Sequence, residues 1–483
     1  MRALAFGLAT ALGLGGAATA DAQPWAREPT PVDPAPAKAP DAVDVVGGEP
    51  EPPTASENRD IDLLDRILPC GTRVLIARDD SLPVASVVLA LEHGSEDDPD
   101  DLPGLHHALA YQLLMGNRDT APGGIQSMVQ DAGGIAFLAT GPAQTRFESL
   151  IPITLLGEVI AAEAGRFRAP TVTESLWKET LISARRDTPH RRTASWHATA
   201  VAHGSAGLAH RPRVVPKGLG ELDVASIEAA LAQRARYEFA TLVVVSPLPL
   251  EDTFAKVESA MRDLPERPRR VPARDVMPSG RVVEQPKAAG NTFVWAIPGE
   301  PAARLWADAW CETVSRQRRG KGEPKPNRVR CAFDDDPRRP TVTIRVRTPS
   351  DPSALLEARM QRLAGKGGRV LRGPRRRLQR MLASENSTPL GLARRLAAAA
   401  TTSATAQDSI DVATGVTALQ GSPPDVATVL PLDQAVRVVA PGTVTPASST
   451  PPSADPHAVE PASATTPAAE PTDAATPADE TGE

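Results

Sequence analysis

The stretch that decides the fold is Gly-Leu-His-His-Ala-Leu-Ala-Tyr-Gln-Leu-Leu-Met-Gly-Asn, residues 104–117. Its apolar residues recur at intervals of three and four, as they do on one face of an α-helix; they are Leu105, Ala108, Leu109, Leu113 and Leu114. Gly104 and Gly116 stand where such a helix would begin and end. The pattern therefore predicts a helix with two histidines, His106 and His107, in its first turn. The first functional question is whether they hold a metal.

The two ends of the 483-residue chain differ in composition from its middle. Residues 1–22 carry Arg2, an apolar run and then small residues, which is typical of a secretory signal peptide. The alternative is a membrane anchor, but the run is short and rich in glycine and alanine. Residues 23–58 read as a proline-rich linker. Residues 441–483 form an acidic tail of Pro, Ala and Thr without Lys, Arg or aromatic residues, a composition that predicts disorder. We therefore expect an exported chain with no membrane span after signal removal.

The middle of the chain mixes strand and helix patterns, which predicts an α+β fold. Residues 72–78 and 84–93 are predicted to form a β-hairpin, and residues 147–168 a long amphipathic helix. A helix over 171–186 has Thr171 or Thr173 as its candidate N-cap. A similar order of elements follows a Pro/Arg-rich linker. We therefore predict two duplicated units, an N-terminal domain over 60–275 and a C-terminal domain over 285–440.

Charge and cysteine content narrow the function classes. The net charge is −6, and basic clusters lie at residues 316–321 and 369–380. A nucleic-acid or anionic surface site is one interpretation of these clusters. We favour a solvated loop and a charged helix face, and expect no nucleic-acid partner.

An oxidising compartment would let two of the three cysteines pair. A Cys311–Cys331 bridge is possible, because the two cysteines flank a basic loop. The odd number leaves at least one cysteine free, most simply a buried Cys70, and the sequence alone leaves the pairing open.

A family resemblance rests on motifs spread along the chain. They are Leu68-Pro69-Cys70-Gly71-Thr72, His93-Gly94-Ser95, the central helix, Gly133-Gly134 before a strand that ends in Thr140, and Tyr237 before a strand. This order resembles the insulinase/pitrilysin (M16) metallopeptidases, in the short two-domain form related to mitochondrial processing peptidase. The resemblance implies two tandem M16-like (LuxS/MPP-like metallohydrolase) α/β sandwich domains around a chamber. It covers residues 67–265 well and 292–442 loosely.

The zinc motif of that family is degenerate in this chain. The family carries His-x-x-Glu-His on its central helix, where the two histidines share one face and the glutamate polarises the attacking water. The matching residues here are His107, Ala110 and Tyr111. Alanine cannot accept a proton, and a neutral phenol is a poor zinc ligand. The third ligand, a glutamate in the family, falls near Thr180 or Leu181. Glu179 is adjacent, so His107 and Glu179 are the residual metal candidates.

Two further family positions have changed. Phe137 stands where the family carries an asparagine that faces the substrate, and no tyrosine lies in the second half. Arg318 or Arg319 matches the substrate-binding arginine of the family. The resemblance therefore assigns peptide-binding roles to Phe137, Arg318 and Arg319, and it assigns no catalytic residue.

Three hypotheses follow. The preferred one is an exported, periplasmic or secreted, catalytically inactive M16 homologue without a cofactor. It would act as the non-catalytic partner of a subunit with an intact zinc motif, or as a homodimer, and would help to bind extended peptides. The second is an active zinc endopeptidase that uses His106, His107 and Glu179 as an atypical ligand set. The third is a stand-alone peptide-binding protein of the cell envelope, which takes up peptides by strand addition at a sheet edge.

Overall fold

A computed structural model describes residues 61–168, 170–187, 194–203, 215–270, 280–284, 291–298, 301–316, 328–334, 340–347, 352–401, 419 and 422–439. The predicted signal peptide, linker and acidic tail lie outside these residues. The described part contains two sheets and twelve helices. This confirms the predicted α+β class, while the exact domain limits stay a prediction. No helix in the described ranges is both long and apolar enough to cross a membrane.

The first sheet has six strands in the order β1-β2-β6-β3-β5-β4. The strands are β1 (Leu63–Ile67), β2 (Arg73–Arg78), β3 (Val84–Leu91), β4 (Ile135–Thr140), β5 (Thr145–Pro152) and β6 (Ala240–Ser246). Strand β6 is buried along its whole length, as expected for its near-continuous run of β-branched residues. All neighbours in this sheet are antiparallel except β2 and β6, which run parallel.

The predicted hairpin of residues 72–78 and 84–93 is wrong. Both segments are strands, but β6 lies between them and pairs with each. Val243 is the register partner of Leu75 in β2 and of Val88 in β3. Because β6 follows more than 140 residues after β3, no short-range turn signal could reveal this insertion.

The predicted helix over 147–168 is also wrong in its first part. Residues 145–152 form β5, and only Leu156–Gly165 is helical. The apolar residues Phe147, Leu150 and Ile151 are spaced three and four apart, as on one face of a helix. In the strand, Phe147 and Ile151 face one core and Leu150 faces the other, so burial of both faces of the sheet produced a helix-like pattern. Pro152 then ends the strand, because proline has no N–H for the ladder.

Helices cover both faces of the first sheet. In chain order the twelve helices are α1 (Leu105–Leu114), α2 (Gly124–Asp131), α3 (Leu156–Gly165), α4 (Glu174–Arg186), α5 (Ala194–His203), α6 (Val224–Arg234), α7 (Leu250–Met261), α8 (Pro301–Arg316), α9 (Ser353–Ala364), α10 (Arg372–Asn386), α11 (Pro389–Ala400) and α12 (Val426–Val429). Val74 and Ile76 of β2 face a core with α1, α3 and α7. The alternate residues, Leu75 and Ala77, face the opposite side of the sheet, where α11 packs.

The second sheet has five strands in the order β7-β11-β8-β10-β9. They are β7 (Val282–Glu284), β8 (Asn291–Ala296), β9 (Arg328–Asp334), β10 (Thr341–Arg347) and β11 (Val436–Val439). Strands β1, β7 and β9 were not among the predicted elements. A disulfide joins Cys311 of α8 to Cys331 of β9, and Cys70 is free and buried, which confirms the predicted cysteine arrangement.

The two sheets exchange one helix each. Helix α11, from the second half of the chain, packs Leu392 and Leu396 against the first sheet. Helix α5, from the first half, packs Ala198 and Ala202 against Val294 of the second sheet. Hydrogen bonds from Arg73 to the Ala400 carbonyl oxygen (3.1 Å) and from Gln144 to the Ala397 carbonyl oxygen (3.1 Å) hold α11 in place.

The N-cap of α4 gives a first test of the local structure. Thr173 is extended and its side chain accepts a hydrogen bond from the Leu176 N–H (3.2 Å), which confirms one of the two predicted caps. Thr173→Ala is expected to lower the free energy of unfolding by about 1 kcal/mol, because it leaves that N–H without its partner. Urea denaturation measures this. The exposed Ser175→Ala is the control, and an equal loss in both variants would contradict the capping role.

Candidate functional site

The central helix α1 is fixed at its start by Asp98. The Gly104 N–H donates to Asp98 Oδ2 (2.6 Å) and the His106 N–H donates to Asp98 Oδ1 (2.7 Å). Gly104 has φ 84°, a left-handed conformation that glycine adopts without strain. The carboxylate thus satisfies N–H groups that have no partner within the helix and complements the positive end of the helix dipole. All ten residues of α1 are buried, so it is embedded on every side and not on one face alone.

His107 lies at the centre of the site and is completely buried. Its Nδ1 is 3.0 Å from Thr140 Oγ1 at the end of β4, and its Nε2 is 3.3 Å from the Ala184 carbonyl oxygen on α4. Because a carbonyl only accepts, Nε2 must carry a proton and donate to it. Asp187 Oδ2 is 3.8 Å from the same Nε2. Both ring nitrogens therefore have protein partners.

Ala110 and Tyr111 lie on α1 at the positions that the sequence resemblance matches to the glutamate and second histidine of the family. Both are buried, and the Tyr111 ring lies edge-on to His107 with 5.1 Å between the ring centres. Residues four apart on a helix are neighbours, which accounts for this contact. The tyrosine ring fills space beside the imidazole, and the alanine methyl offers no proton acceptor. This part of the site is packed like a protein core.

Helix α4 does not supply the missing ligand. Its buried side chains include Thr180 and Leu181, and Thr180 Oγ1 donates to Gln112 Oε1 (2.8 Å). Gln112 Nε2 in turn donates to the Thr171 carbonyl oxygen (2.7 Å). Glu179 is exposed, whereas His107 is fully buried, so the structure does not bring the two residual candidates together. The resemblance to the family pointed to these positions, but the Gln112–Thr180 pair carries no local motif by which sequence reasoning could have found it.

These donors do not fit the zinc ion that the family resemblance implies. A catalytic zinc site needs three protein ligands and an open position. His107 offers one imidazole, and Thr140 and Ala184 contact its two nitrogens. The neighbouring groups are an alanine methyl, a phenol, a threonine that is already bonded to a glutamine, and the Asp187 carboxylate, which lies 3.8 Å from Nε2 on the protonated side of the ring. We therefore derive no reaction step through zinc at this position.

His106, the other histidine of the pair, faces away from His107. Its Nδ1 is 2.7 Å from Asp98 Oδ1, and its ring stacks on that of His93 with 5.9 Å between the ring centres. Burial lowers the pKa of His106 below its ordinary value, and the hydrogen bond to Asp98 opposes that shift only in part. His106 is therefore a neutral ring at neutral pH. It cannot join His107 in a shared ligand set, because adjacent residues point about 100° apart around a helix.

The predicted peptide-binding residues have different outcomes. Phe137 lies on β4, which is an edge strand of the first sheet, and it is 37% exposed. The Arg394 guanidinium from α11 lies over its ring at 5.4 Å. Arg394 also donates to the buried Glu148 on β5 (2.5 Å), which accepts from Arg146 as well (2.8 Å). Arg318 and Arg319 lie outside the described residues.

Comparison with known proteins identifies the fold. No protein-family profile matches the sequence. Among curated proteins, insulin-degrading enzyme of Drosophila melanogaster is 28% identical over 106 residues, which is 22% of this chain and only 11% of that enzyme. A protease from Helicobacter pylori has a TM-score of 0.61 at 13% identity and covers 78% of this chain and 99% of its own.

Two further solved structures give the same result. A peptidase M16 inactive domain from Pseudomonas fluorescens has a TM-score of 0.60 at 15% identity, over 78% of this chain and 97% of its own. The first half of the periplasmic protease PqqL from Escherichia coli has a TM-score of 0.55 at 14% identity, over 78% and 91%. The chain thus has the M16 peptidase fold, as the sequence resemblance predicted.

Proposed function

We propose that this chain is a non-catalytic M16-type protein that binds extended peptides and serves as the partner of a zinc-bearing M16 subunit. One observation carries the proposal. The imidazole of His107 is buried with hydrogen-bond partners at both nitrogens, in a cluster where Ala110 and Tyr111 supply neither a general base nor a second ligand. Hydrolysis of a peptide bond by this family requires both groups, so the helix keeps a structural role only.

The edge of the first sheet supports peptide binding. Strand β4 ends the sheet in the described part of the chain, and it pairs only with β5 there. An extended peptide can add to such an edge through main-chain hydrogen bonds, while side chains along the strand provide selectivity. Phe137 offers an exposed aromatic ring on this strand, and Arg394 stacks on it from α11. We infer that peptides are held along β4.

Export belongs to the same proposal. Residues 1–22 have the composition of a signal peptide, and one structural neighbour is a periplasmic protease. The Cys311–Cys331 disulfide agrees with export, because disulfides form and persist in oxidising compartments. The protein would then act in the periplasm or outside the cell, and it would bind a partner subunit or a second copy of this chain there.

Phe137 gives the test of peptide binding. Phe137→Ala is expected to weaken the affinity for a fluorescently labelled, unstructured peptide by about tenfold, since aromatic anchors carry much of the energy at such surfaces. Fluorescence anisotropy measures the dissociation constant. Ile182→Ala is the control, because Ile182 is an exposed apolar side chain (51%) on α4, away from the sheet edge. Equal affinities in the unchanged chain and in both variants would contradict binding along β4.

The partner role needs a second experiment. The tagged full-length chain is purified from its native host, and co-purifying proteins are identified. A subunit with an intact His-x-x-Glu-His motif supports the partner role, and cleavage of the same peptide by the mixture but not by this chain completes it. Captured peptides without any peptidase favour the stand-alone binding protein. Cleavage by the purified chain alone, abolished by His107→Gln, would revive the active-enzyme alternative and overturn the proposal.

A further inference from the structure

A second group of potential metal ligands lies at the first turn of α1, on a different face of the helix from His107. His93 follows the end of β3, Asp97 ends the 3-10 turn Ser95–Asp97, and His106 lies in the first turn of α1. Each residue offers one ligand atom, and these atoms all lie within 4.8 Å of one another. His93 Nδ1 is 3.6 Å from Asp97 Oδ2. Two segments of the chain, the connection over residues 93–97 and the first turn of α1, thus converge on one small volume.

The His93 ring is the unusual member of this group. Both of its nitrogens are buried, and neither has a hydrogen-bond partner among the described residues. The side chain as a whole is 17% exposed, and its face is packed by Phe239 and His106. Native proteins rarely leave buried polar atoms unsatisfied, and an ion at the site is one of the accepted reasons for such an exception. A bound ion would satisfy the two buried nitrogens of His93.

Asp98 prepares the His106 ring as a ligand. It accepts a hydrogen bond from Nδ1 (2.7 Å), which places the proton on that atom and leaves the lone pair of Nε2 directed to the other side. Metal-bound histidines usually have such a carboxylate behind them. Asp97 is held in a similar way, because its Oδ2 accepts from the Gly94 N–H (2.9 Å).

We propose that His93, Asp97 and His106 form a binding site for a divalent transition-metal ion, with zinc as its natural occupant. Two imidazoles and one carboxylate are a donor set that zinc accepts in tetrahedral geometry, with water in the fourth position. Calcium and magnesium prefer oxygen ligands throughout and fit this set poorly. The site lies outside the family's motif, because His107 points to Thr140 and Ala184. The ion would tie the end of β3 to the first turn of α1.

The positive charge of Arg234 is expected to weaken the affinity of the proposed site for a metal ion. The Arg234 Nη1 donates to the Asp97 carbonyl oxygen (2.6 Å) and lies 3.5 Å from His106 Nε2. Its positive charge therefore stands beside the ligand atom that the metal would use. Removing this charge at constant fold should strengthen metal binding. This direction of change cannot arise from unfolding, which makes Arg234 a useful second probe.

The test is a zinc titration of the full chain after it has been stripped with a chelator. Competition against a chromophoric chelator gives the stoichiometry and the dissociation constant, and circular dichroism checks that each variant is folded. We expect one zinc ion per chain. His93→Ala and Asp97→Asn should weaken binding at least tenfold, and Arg234→Gln should tighten it several-fold. The exposed Asp100→Asn, in the same loop, is the charge-matched control and should leave binding unchanged.

The outcomes separate this inference from the proposed function. No saturable zinc binding, or equal binding by the unchanged chain, His93→Ala and Asp97→Asn, overturns the metal site and leaves the non-catalytic role intact. Zinc that survives His93→Ala but is lost in His107→Gln overturns the metal site and places the ion at the family's position, against the proposed function as well. Zinc binding that follows His93 and Asp97 without peptide cleavage supports both.

Discussion

A chain that combines Ala110→Glu, Tyr111→His and Thr180→Glu is expected to bind zinc at the central helix at least about a hundredfold more tightly than the unchanged sequence. The first two changes restore a base and a second imidazole one helical turn from His107. The third places a carboxylate on the buried face of α4, where Thr180 now contacts Gln112. Ala110→Glu with Tyr111→His alone should show a smaller gain, because that pair still lacks the third ligand.

The measurement is best made in a His93→Ala background, which removes the other proposed zinc site. Zinc content and competition titration report the gain, and cleavage of an unstructured peptide is a separate readout. Ala110→Gln, Tyr111→Asn and Thr180→Gln form the control, since they alter packing in a similar way without supplying the ligand set. No gain of the restored chain over this control would mean that the register assigned to α1, or the position assigned on α4, is wrong.

Glu163→Ala is expected to lower the free energy of unfolding by about 3–5 kcal/mol, the typical cost of removing one partner of a buried ion pair. Glu163 and Arg166 are only 2% and 3% exposed, and two hydrogen bonds of 2.6 and 2.8 Å join them. Arg166 also donates to the Leu113 carbonyl oxygen near the end of α1 (3.0 Å) and lies 4.2 Å from the centre of the Phe147 ring. Without Glu163, the partners that remain to this buried cation among the described residues are a carbonyl and a ring.

Two controls give this result its meaning. Glu174→Ala breaks an exposed pair with Lys178, 3.9 Å apart, and should change stability by less than about 0.5 kcal/mol. Glu163→Met combined with Arg166→Met removes both charges, and we expect it to be far less destabilising than Glu163→Ala. Urea denaturation with a thermal scan measures all three. A loss at Glu163 no larger than that at Glu174 would show that the pair does not support α1.

The sequence predicts those contacts of the candidate site that lie within a single helix. The spacing of His107, Ala110 and Tyr111 specifies which side chains meet, because residues three and four apart share a helical face. The contact between the His107 and Tyr111 rings bears this out. The partners of the imidazole nitrogens come from β4 and α4, 33 and 77 residues away. No local pattern encodes contacts at such separations.

The two wrong secondary-structure predictions also arise from contacts between residues that are distant in sequence. The apolar residues of the run Phe147-Glu-Ser-Leu-Ile have helical spacing, and only pairing with β3 and β4 makes the run a strand. The hairpin error arose because β2 and β3 are neighbours in sequence but pair with β6 instead of with each other. Caps, by contrast, are local, and Thr173 was among the two predicted candidates.

Because α5 and α11 each cover the sheet of the other half, we expect that neither half of this protein folds when it is expressed alone. A chain truncated before Pro389 would expose the apolar face of the first sheet that includes Leu75, Val88 and Val243. A chain starting after His203 would bare Val294 and its neighbours on the second sheet. Ribosomes must therefore deliver almost the whole polypeptide before either sheet is shielded, and a protease that nicks between the halves should leave one particle.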